Sequence, residues 1–137
     1  MTDQTQTGTS TIDNIGVVMF TVSDVDAAIA FYTEKLGFEL RADVPYGESG
    51  ENRWVEVAPP GSRTRLALNL PAGPGYEPGG GMIGLESPDV RAEHARLKAL
   101  GDVDVDDRVI EMPGAPLMFM MRDPDGNHMA VVQPDVG

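Results

Sequence analysis

Cysteine is absent from the 137 residues, which excludes disulfides, thiolate nucleophiles and cysteine-ligated metal sites. Basic residues are also few: ten lysines and arginines stand against twenty-two aspartates and glutamates, for a formal net charge of −12. Such a field repels phosphate backbones, so we expect no nucleic acid partner. It favours a cationic small molecule, although an acidic surface also serves solubility alone.

Long apolar runs are missing as well. No stretch approaches the roughly 20 residues needed to cross a bilayer, and the N-terminus has no charged-then-apolar signal layout. We therefore expect a cytoplasmic protein with no membrane partner. The length predicts one domain, or two intimately packed halves.

The first half of the chain, residues 15–70, reads as a strand, a helix and three more strands. Residues 1–14 are polar and predict a disordered tail. The β-branched run at 15–22 predicts a buried strand, after which Ser23 and Asp24 supply N-cap chemistry and Gly37 ends a helix. Three further strands are predicted at 38–44, 53–57 and 64–70. The helix has apolar residues at helical spacing, namely Val25, Ala28, Ile29, Tyr32 and Leu36.

Residues 71–81 carry five glycines and three prolines and predict an irregular connection. The second half, residues 82–133, begins with a strand at 82–86. Ser87 is then expected to cap a helix with Pro88 at its first position. The helix has an apolar stripe of Val90, Leu97 and Leu100. Strands are predicted at 103–107, 117–121 and 128–133, before a tail at 134–137.

The two halves repeat one pattern. Gly37 follows Ser23 by 14 positions (37 − 23), and Gly101 follows Ser87 by 14 (101 − 87). The second helix starts 64 positions after the first (87 − 23). This agreement in order, length and cap type predicts a duplicated βαβββ unit.

Two strings resemble a known family. TVSDVDAAIAFYTEKLGFEL, at 21–40, resembles the opening of the glyoxalase, bleomycin-resistance and extradiol-dioxygenase family, also called the vicinal-oxygen-chelate superfamily. RDPDGNHMAVVQ, at 122–133, resembles its closing hairpin, in which 123–127 should supply the residues with positive φ. The resemblance implies an α+β fold: two βαβββ modules form a curved, cup-like mixed sheet with the helices outside. The cup closes within one chain or across a dimer.

In metal-using members, the resemblance implies four His or Glu ligands, one in the first and one in the last strand of each half. The corresponding positions here are Val17, Met82 (or Gly81), Ala130 and a residue among 66–68. None carries a nitrogen or carboxylate donor, so we expect no divalent metal and no other cofactor. His94 falls within the second predicted helix, outside the cup.

A cavity without a metal is then expected inside the cup, because strand alternation turns every second side chain inward. Trp54 and Arg53 must point opposite ways, and Trp54 could instead pack against a helix. The methionines either line the cavity as adaptable side chains or fill gaps in the hydrophobic core. The predicted ligand-binding residues are Val17, Met19, Thr21, Trp54, Met82, Gly84 and Ala130.

Three functions follow from this pattern. The leading one is metal-independent binding of a small organic molecule, hydrophobic or cationic, of the antibiotic-sequestration type. The second is a lyase resembling lactoylglutathione lyase, an isomerase or a dioxygenase. It would use a relocated metal, or acid/base work by His128 with Glu86 or Glu56. The third is a partner-binding module with no ligand. A homodimer is expected in each case, because curved half-sheets leave edges that a second copy can cover.

Overall fold

The computed structural model describes residues 8–134. Strands and helices follow in the order βαβββ and then βαβββ again. The predicted α+β fold with two modules is confirmed by this order. The strands are Val17–Thr21 (β1), Glu39–Tyr46 (β2), Asn52–Ala58 (β3), Arg65–Asn69 (β4), Met82–Glu86 (β5), Asp104–Val105 (β6), Met118–Arg122 (β7) and His128–Val132 (β8). The helices are Val25–Ala30 (α1), continued by a π-helical turn at Phe31–Lys35, and Val90–Leu100 (α2).

Each module builds a four-stranded mixed sheet, in the order β1-β4-β3-β2 and β5-β8-β7-β6. The first and last strands of each module pair in parallel, and the other pairs are antiparallel. The strand predicted at 103–107 is shorter than expected. It ends at Val105, although the Asp106 amide still donates to the Met120 carbonyl at 3.0 Å, and the chain meets β7 again at an isolated bridge between Ile110 and Met118.

One predicted helix cap is confirmed and the other is wrong: Asp24 caps α1 as expected, whereas the cap of α2 is Asp89, two residues after the predicted Ser87. Asp24 caps α1 by accepting a 3.0 Å hydrogen bond from the Ala27 amide. Asp89 caps α2 in the same way, through a 3.1 Å hydrogen bond from the Ala92 amide. Pro88 therefore precedes the cap of α2 instead of opening the helix. A carboxylate satisfies the free amides of a first turn as well as a serine does, so residue type alone does not distinguish Asp89 from Ser87.

The first helix holds one more residue than the second. Gly37 lies 13 positions after Asp24 (37 − 24), whereas Gly101 lies 12 after Asp89 (101 − 89). A π turn accommodates an inserted residue because its hydrogen bonds close one residue later than those of an α turn. The π-helical turn at 31–35 absorbs this extra residue, and Tyr32 within it is fully buried.

One core joins the two modules. The helix-facing sides of both sheets contribute to a single cluster, with Phe20 and Val22 from the first module and Phe119 and Met129 from the second. Leu100, predicted in the apolar stripe of α2, is exposed. At 100° per residue it lies about 80° around the helix from Val90, at the margin of the buried stripe.

A polar contact between the modules is built by the turn after β7. Asp123 and Asn127 are buried, and Asn127 Nδ2 donates to the Thr21 carbonyl at 3.0 Å. Gly126 has a φ of 91°, and the described residues contain no non-glycine residue with positive φ. The predicted positive φ in this turn is confirmed at Gly126 alone, and Asp123 stabilises the turn by accepting hydrogen bonds from the amides of residues 125 and 127.

Candidate ligand-binding site

Each sheet has a side that faces away from the shared core, here called its open face. Alternation along β1 turns Val18 and Phe20 towards the core and leaves Val17, Met19 and Thr21 on the open face. In the second module Met82, Gly84 and Glu86 of β5 occupy the equivalent places, beside His128, Ala130 and Val132 of β8. Met19 is 58% exposed and Met82 is 64% exposed, so these faces are open within one chain.

The register settles the four positions that the family resemblance singled out. Val17 pairs with Arg65 as Met82 pairs with His128, which makes Ala67 the equivalent of Ala130. The other two candidates, Leu66 and Leu68, belong to the core. The four positions are therefore Val17, Ala67, Met82 and Ala130.

These four side chains do not fit a divalent metal. Three are purely aliphatic, and the thioether of Met82 suits only soft ions. Within residues 8–134, no group of three or more His, Asp or Glu side chains is placed to hold a metal.

The predicted acid/base pair is not brought together within one chain. His128 pairs with Met82 at one end of β5, whereas Glu86 pairs with Val132 at the other end. The two residue pairs lie four positions apart along the strands, a distance of about 13 Å. Glu56 lies in the other sheet. His94 lies on α2, where it contacts the Asp106 carbonyl at 2.8 Å and meets the Phe119 ring edge-on.

A cavity of about 950 Å³, here called the aromatic cavity, lies at one end of the first module. Three of the predicted residues line it: Met19, Thr21 and Trp54. Sequence reasoning missed Tyr46 and Tyr76, which also line it. Tyr46 lies two residues beyond the predicted end of its strand. Tyr76 lies in the connection 71–81, for which the sequence predicts an irregular segment and no binding residue.

A second cavity of about 850 Å³, here called the edge cavity, lies between β5 and the segment 57–66. Met82 and Gly84 line it together with apolar side chains such as Val57 and Leu66. The structure therefore divides the predicted ligand-binding set between two cavities. Val17 and Ala130 line neither of the two, although both lie on the open faces.

Trp54 is held by Glu56, whose carboxylate also forms an ion pair with the partly exposed Arg65. Its indole Nε1 donates to Glu56 Oε2 at 2.9 Å, and Arg65 Nε donates to Glu56 Oε1 at 2.8 Å. Glu56 is only 9% exposed. The hydrogen bond from Arg65, aided by that from Trp54 and the positive charge nearby, lowers the pKa of Glu56 below its ordinary value against the opposing effect of desolvation.

Arg53, the neighbour of Trp54, serves a different purpose. Its guanidinium donates to both carboxylate oxygens of Asp43 at 2.8 Å and contacts Asp26 at 2.9 Å. Arg53 is the one cation among the described residues that line the aromatic cavity, and its charge is matched by these partners. Asp24, Asp26 and Glu51 line the same cavity. The cavity lining thus combines three aromatic rings with three carboxylates.

Comparison with known proteins agrees with this architecture. A family model described as "Glyoxalase/Bleomycin resistance protein/Dioxygenase superfamily" matches residues 14–131. The chain is 34% identical over 123 residues to the uncharacterized protein YetH of Bacillus subtilis, which covers 85% of this chain and 94% of that protein.

Two solved structures share both fold and sequence. TnmS3 of Streptomyces sp. CB03234, described as an antibiotic binding protein, is 38% identical, with a TM-score of 0.80 over 93% of this chain and 100% of that one. A superfamily member from Sphaerobacter thermophilus is 31% identical, with a TM-score of 0.79 over 90% and 98% of the two chains. In the described part of this chain, no helix has the length and hydropathy needed to cross a membrane. With its two βαβββ modules and a family match that spans nearly all of both, the chain belongs to the glyoxalase/bleomycin resistance protein/dioxygenase superfamily.

Proposed function

We propose that this protein binds a planar organic molecule, hydrophobic or cationic, in the aromatic cavity and needs no metal to do so. One combination of features carries the proposal: the positions where metal ligands are expected have no nitrogen or oxygen donor, and aromatic rings line a cavity. Val17, Ala67, Met82 and Ala130 stand where metal ligands are expected, while Tyr46, Trp54 and Tyr76 line a cavity large enough for a drug-sized ligand.

The similarity to TnmS3 supports an antibiotic-sequestration role. That protein is described as binding an antibiotic, and it shares 38% of its residues with this chain over its whole length. A lyase or dioxygenase role has less support, because His128 and Glu86 lie at opposite ends of their strand pair. A cytoplasmic location stays a prediction from the cysteine-free composition.

We further propose that two copies form a homodimer that completes the cup. The helix-facing sides of both sheets share one core, so the two open faces of a chain point away from each other. A second copy could lay the open face of its second module over the open face of the first. This arrangement would bring Met82 and Gly84 of one copy towards Met19 and Trp54 of the other, and it would cover the exposed methionines.

The binding proposal can be tested through Trp54, because it is the only tryptophan and reports on the cavity directly. Protein stripped with chelator is titrated with doxorubicin, a planar aromatic cation, and with bleomycin, while tryptophan emission and heat are recorded. We expect saturable quenching with a one-to-one stoichiometry per chain for at least one of them. The affinity should be the same with and without EDTA.

Two results would overturn this proposal. One is near-stoichiometric Ni, Zn, Fe or Mn in protein purified without chelator, with binding lost when the metal is removed. The other is a lack of saturable binding to a panel of planar aromatic compounds. The enzyme alternative would gain support if a turnover were found that His128→Ala abolishes while the fold stays intact.

A further inference from the structure

The contact between the Trp54 indole and the Glu56 carboxylate suggests how the site chooses its ligand. The indole N–H donates to one carboxylate oxygen at 2.9 Å, and Arg65 donates to the other at 2.8 Å. Glu56 pairs with Ala67 and lies on the open face of β3, two residues from Trp54. Each oxygen therefore has one defined protein partner, and the indole ring is fixed at its polar edge.

Two physical consequences follow from that contact. A ring whose N–H is bound to an ordered carboxylate loses less rotational freedom when a ligand stacks on it. A carboxylate at the indole N–H also pushes electron density into the ring, and the negative ring face is what attracts a cation. Glu56 thus acts on the indole ring of Trp54, a residue that lines the aromatic cavity.

We propose that Glu56, acting through the indole of Trp54, makes the aromatic cavity selective for planar aromatic cations over neutral rings of the same shape. The inference rests on the proposed binding function and names the ligand class of that site. Glu56 is a positioning residue here, since it acts on the ligand through Trp54.

The charges around the cavity agree with this class of ligand. Asp24, Asp26 and Glu51 line the cavity. Arg53 is paired with Asp43 and Asp26, and Arg65 is engaged by Glu56. The other polar residues of the lining are neutral, namely Thr21, Ser23, Asn52 and Asn69. A planar cation would therefore meet both negative charge and an electron-rich ring in this cavity.

The test compares N-methylacridinium, a fixed planar cation without a hydrogen-bond donor, with acridine, its neutral counterpart at slightly alkaline pH. Both are titrated into the full-length protein by calorimetry. We expect the cation to bind about tenfold more tightly than acridine, in line with a desolvated cation–π contact. In Glu56→Gln this preference should fall to about twofold, while the affinity for acridine changes little.

Glu51→Gln is the matched control, because it removes the same charge from the cavity lining and Glu51 bonds to Ser49 and not to Trp54. It should weaken cation binding only at low salt. The single indole N–H resonance gives a second readout: it should move upfield in Glu56→Gln and stay in place in Glu51→Gln. Trp54→Phe, which keeps a ring but has no N–H, should show the same loss of preference if Glu56→Gln does not fold.

The outcomes separate the inference from the function on which it rests. If neither dye binds, the proposed function itself fails. If both dyes bind but Glu56→Gln keeps the tenfold preference, or Glu51→Gln loses as much of it, Glu56 has no special role and the inference is overturned.

Discussion

The hydroxyl of Tyr32 donates a 2.9 Å hydrogen bond to Oδ2 of Asp123, which lies 91 positions later and in the other module. Both residues are buried, and Asn127 donates to the same carboxylate oxygen at 3.0 Å. Burial and the neighbouring Asp123 charge raise the pKa of Tyr32, so the phenol stays protonated and remains a donor. This contact ties the π-helical turn of the first module to the closing hairpin of the second.

Removal of that hydroxyl should destabilise the fold. In Tyr32→Phe a buried carboxylate loses one donor, and we expect the free energy of unfolding to drop by about 1–3 kcal/mol. Urea denaturation followed by circular dichroism measures it. Tyr46→Phe, at an exposed tyrosine, is the control and should change stability by less than about 0.5 kcal/mol. Equal stability of the wild type and Tyr32→Phe would show that the bond contributes nothing.

Gly81 is needed for close packing between the modules. A Cβ at residue 81 would collide with the Phe20 ring, whereas a Cβ at Gly84 would meet open space. Gly81→Ala should therefore lower the melting temperature through a strain of about 1–3 kcal/mol, and Gly84→Ala should leave it nearly unchanged. Thermal melts of the two variants, recorded under the same conditions, measure this difference in melting temperature. The same melting temperature for both would contradict the packing.

Glu56 should make stability depend on pH in the acid range. Its pKa in the folded protein lies below the ordinary value of 4.5, because Arg65 and Trp54 donate to it. Its stabilising effect is therefore present above that ordinary value and is lost as the pH falls through the folded-state pKa. The free energy of unfolding should fall more steeply between about pH 5 and about pH 3 in the wild type than in Glu56→Gln. If the free energy of unfolding falls equally steeply with pH in the two proteins, Glu56 is not an ionised, paired carboxylate in the folded state.

The proposed homodimer predicts that a charge on the open face of β5 weakens association. Met82→Asp buries an unpaired carboxylate in the interface, so the dimer dissociation constant should rise at least about tenfold. Sedimentation velocity over a range of concentrations measures it. Met112→Asp is the control, since Met112 is similarly exposed at 58% but lines neither cavity. A wild type that stays monomeric at every concentration would contradict the dimer.

Much of the scaffold was predictable because its signals are local. Alternation along β1 and β5, the glycines that end the helices and the Gly/Pro-rich connection each depend on residues close together in the chain. These local patterns, which recur in both halves, also allowed Val17, Met82 and Ala130 to be compared with metal-ligand positions. They could not choose among residues 66–68, since that choice depends on the register of β1 against β4.

Several contacts and lining residues of the site could not be predicted from patterns of residues close together in the chain. Trp54, Glu56 and Arg65 lie on two strands, and only the β3–β4 pairing brings the Arg65 guanidinium onto the carboxylate. Tyr46 and Tyr76 reach the aromatic cavity from a strand end and from the connection, neither of which has a periodic pattern. The cap at Asp89 was missed because serine and aspartate both satisfy helix amides.

The amino-acid sequence by itself determined the duplicated βαβββ unit and the donor-free positions, because hydrophobic periodicity and residue identity are properties of the chain. The tertiary structure alone decided which faces are open, that the predicted residues divide between two cavities, and that Arg65 pairs with the Glu56 carboxylate beside Trp54. These depend on strand register and on the packing of two modules around one core, where residues distant in the chain become neighbours.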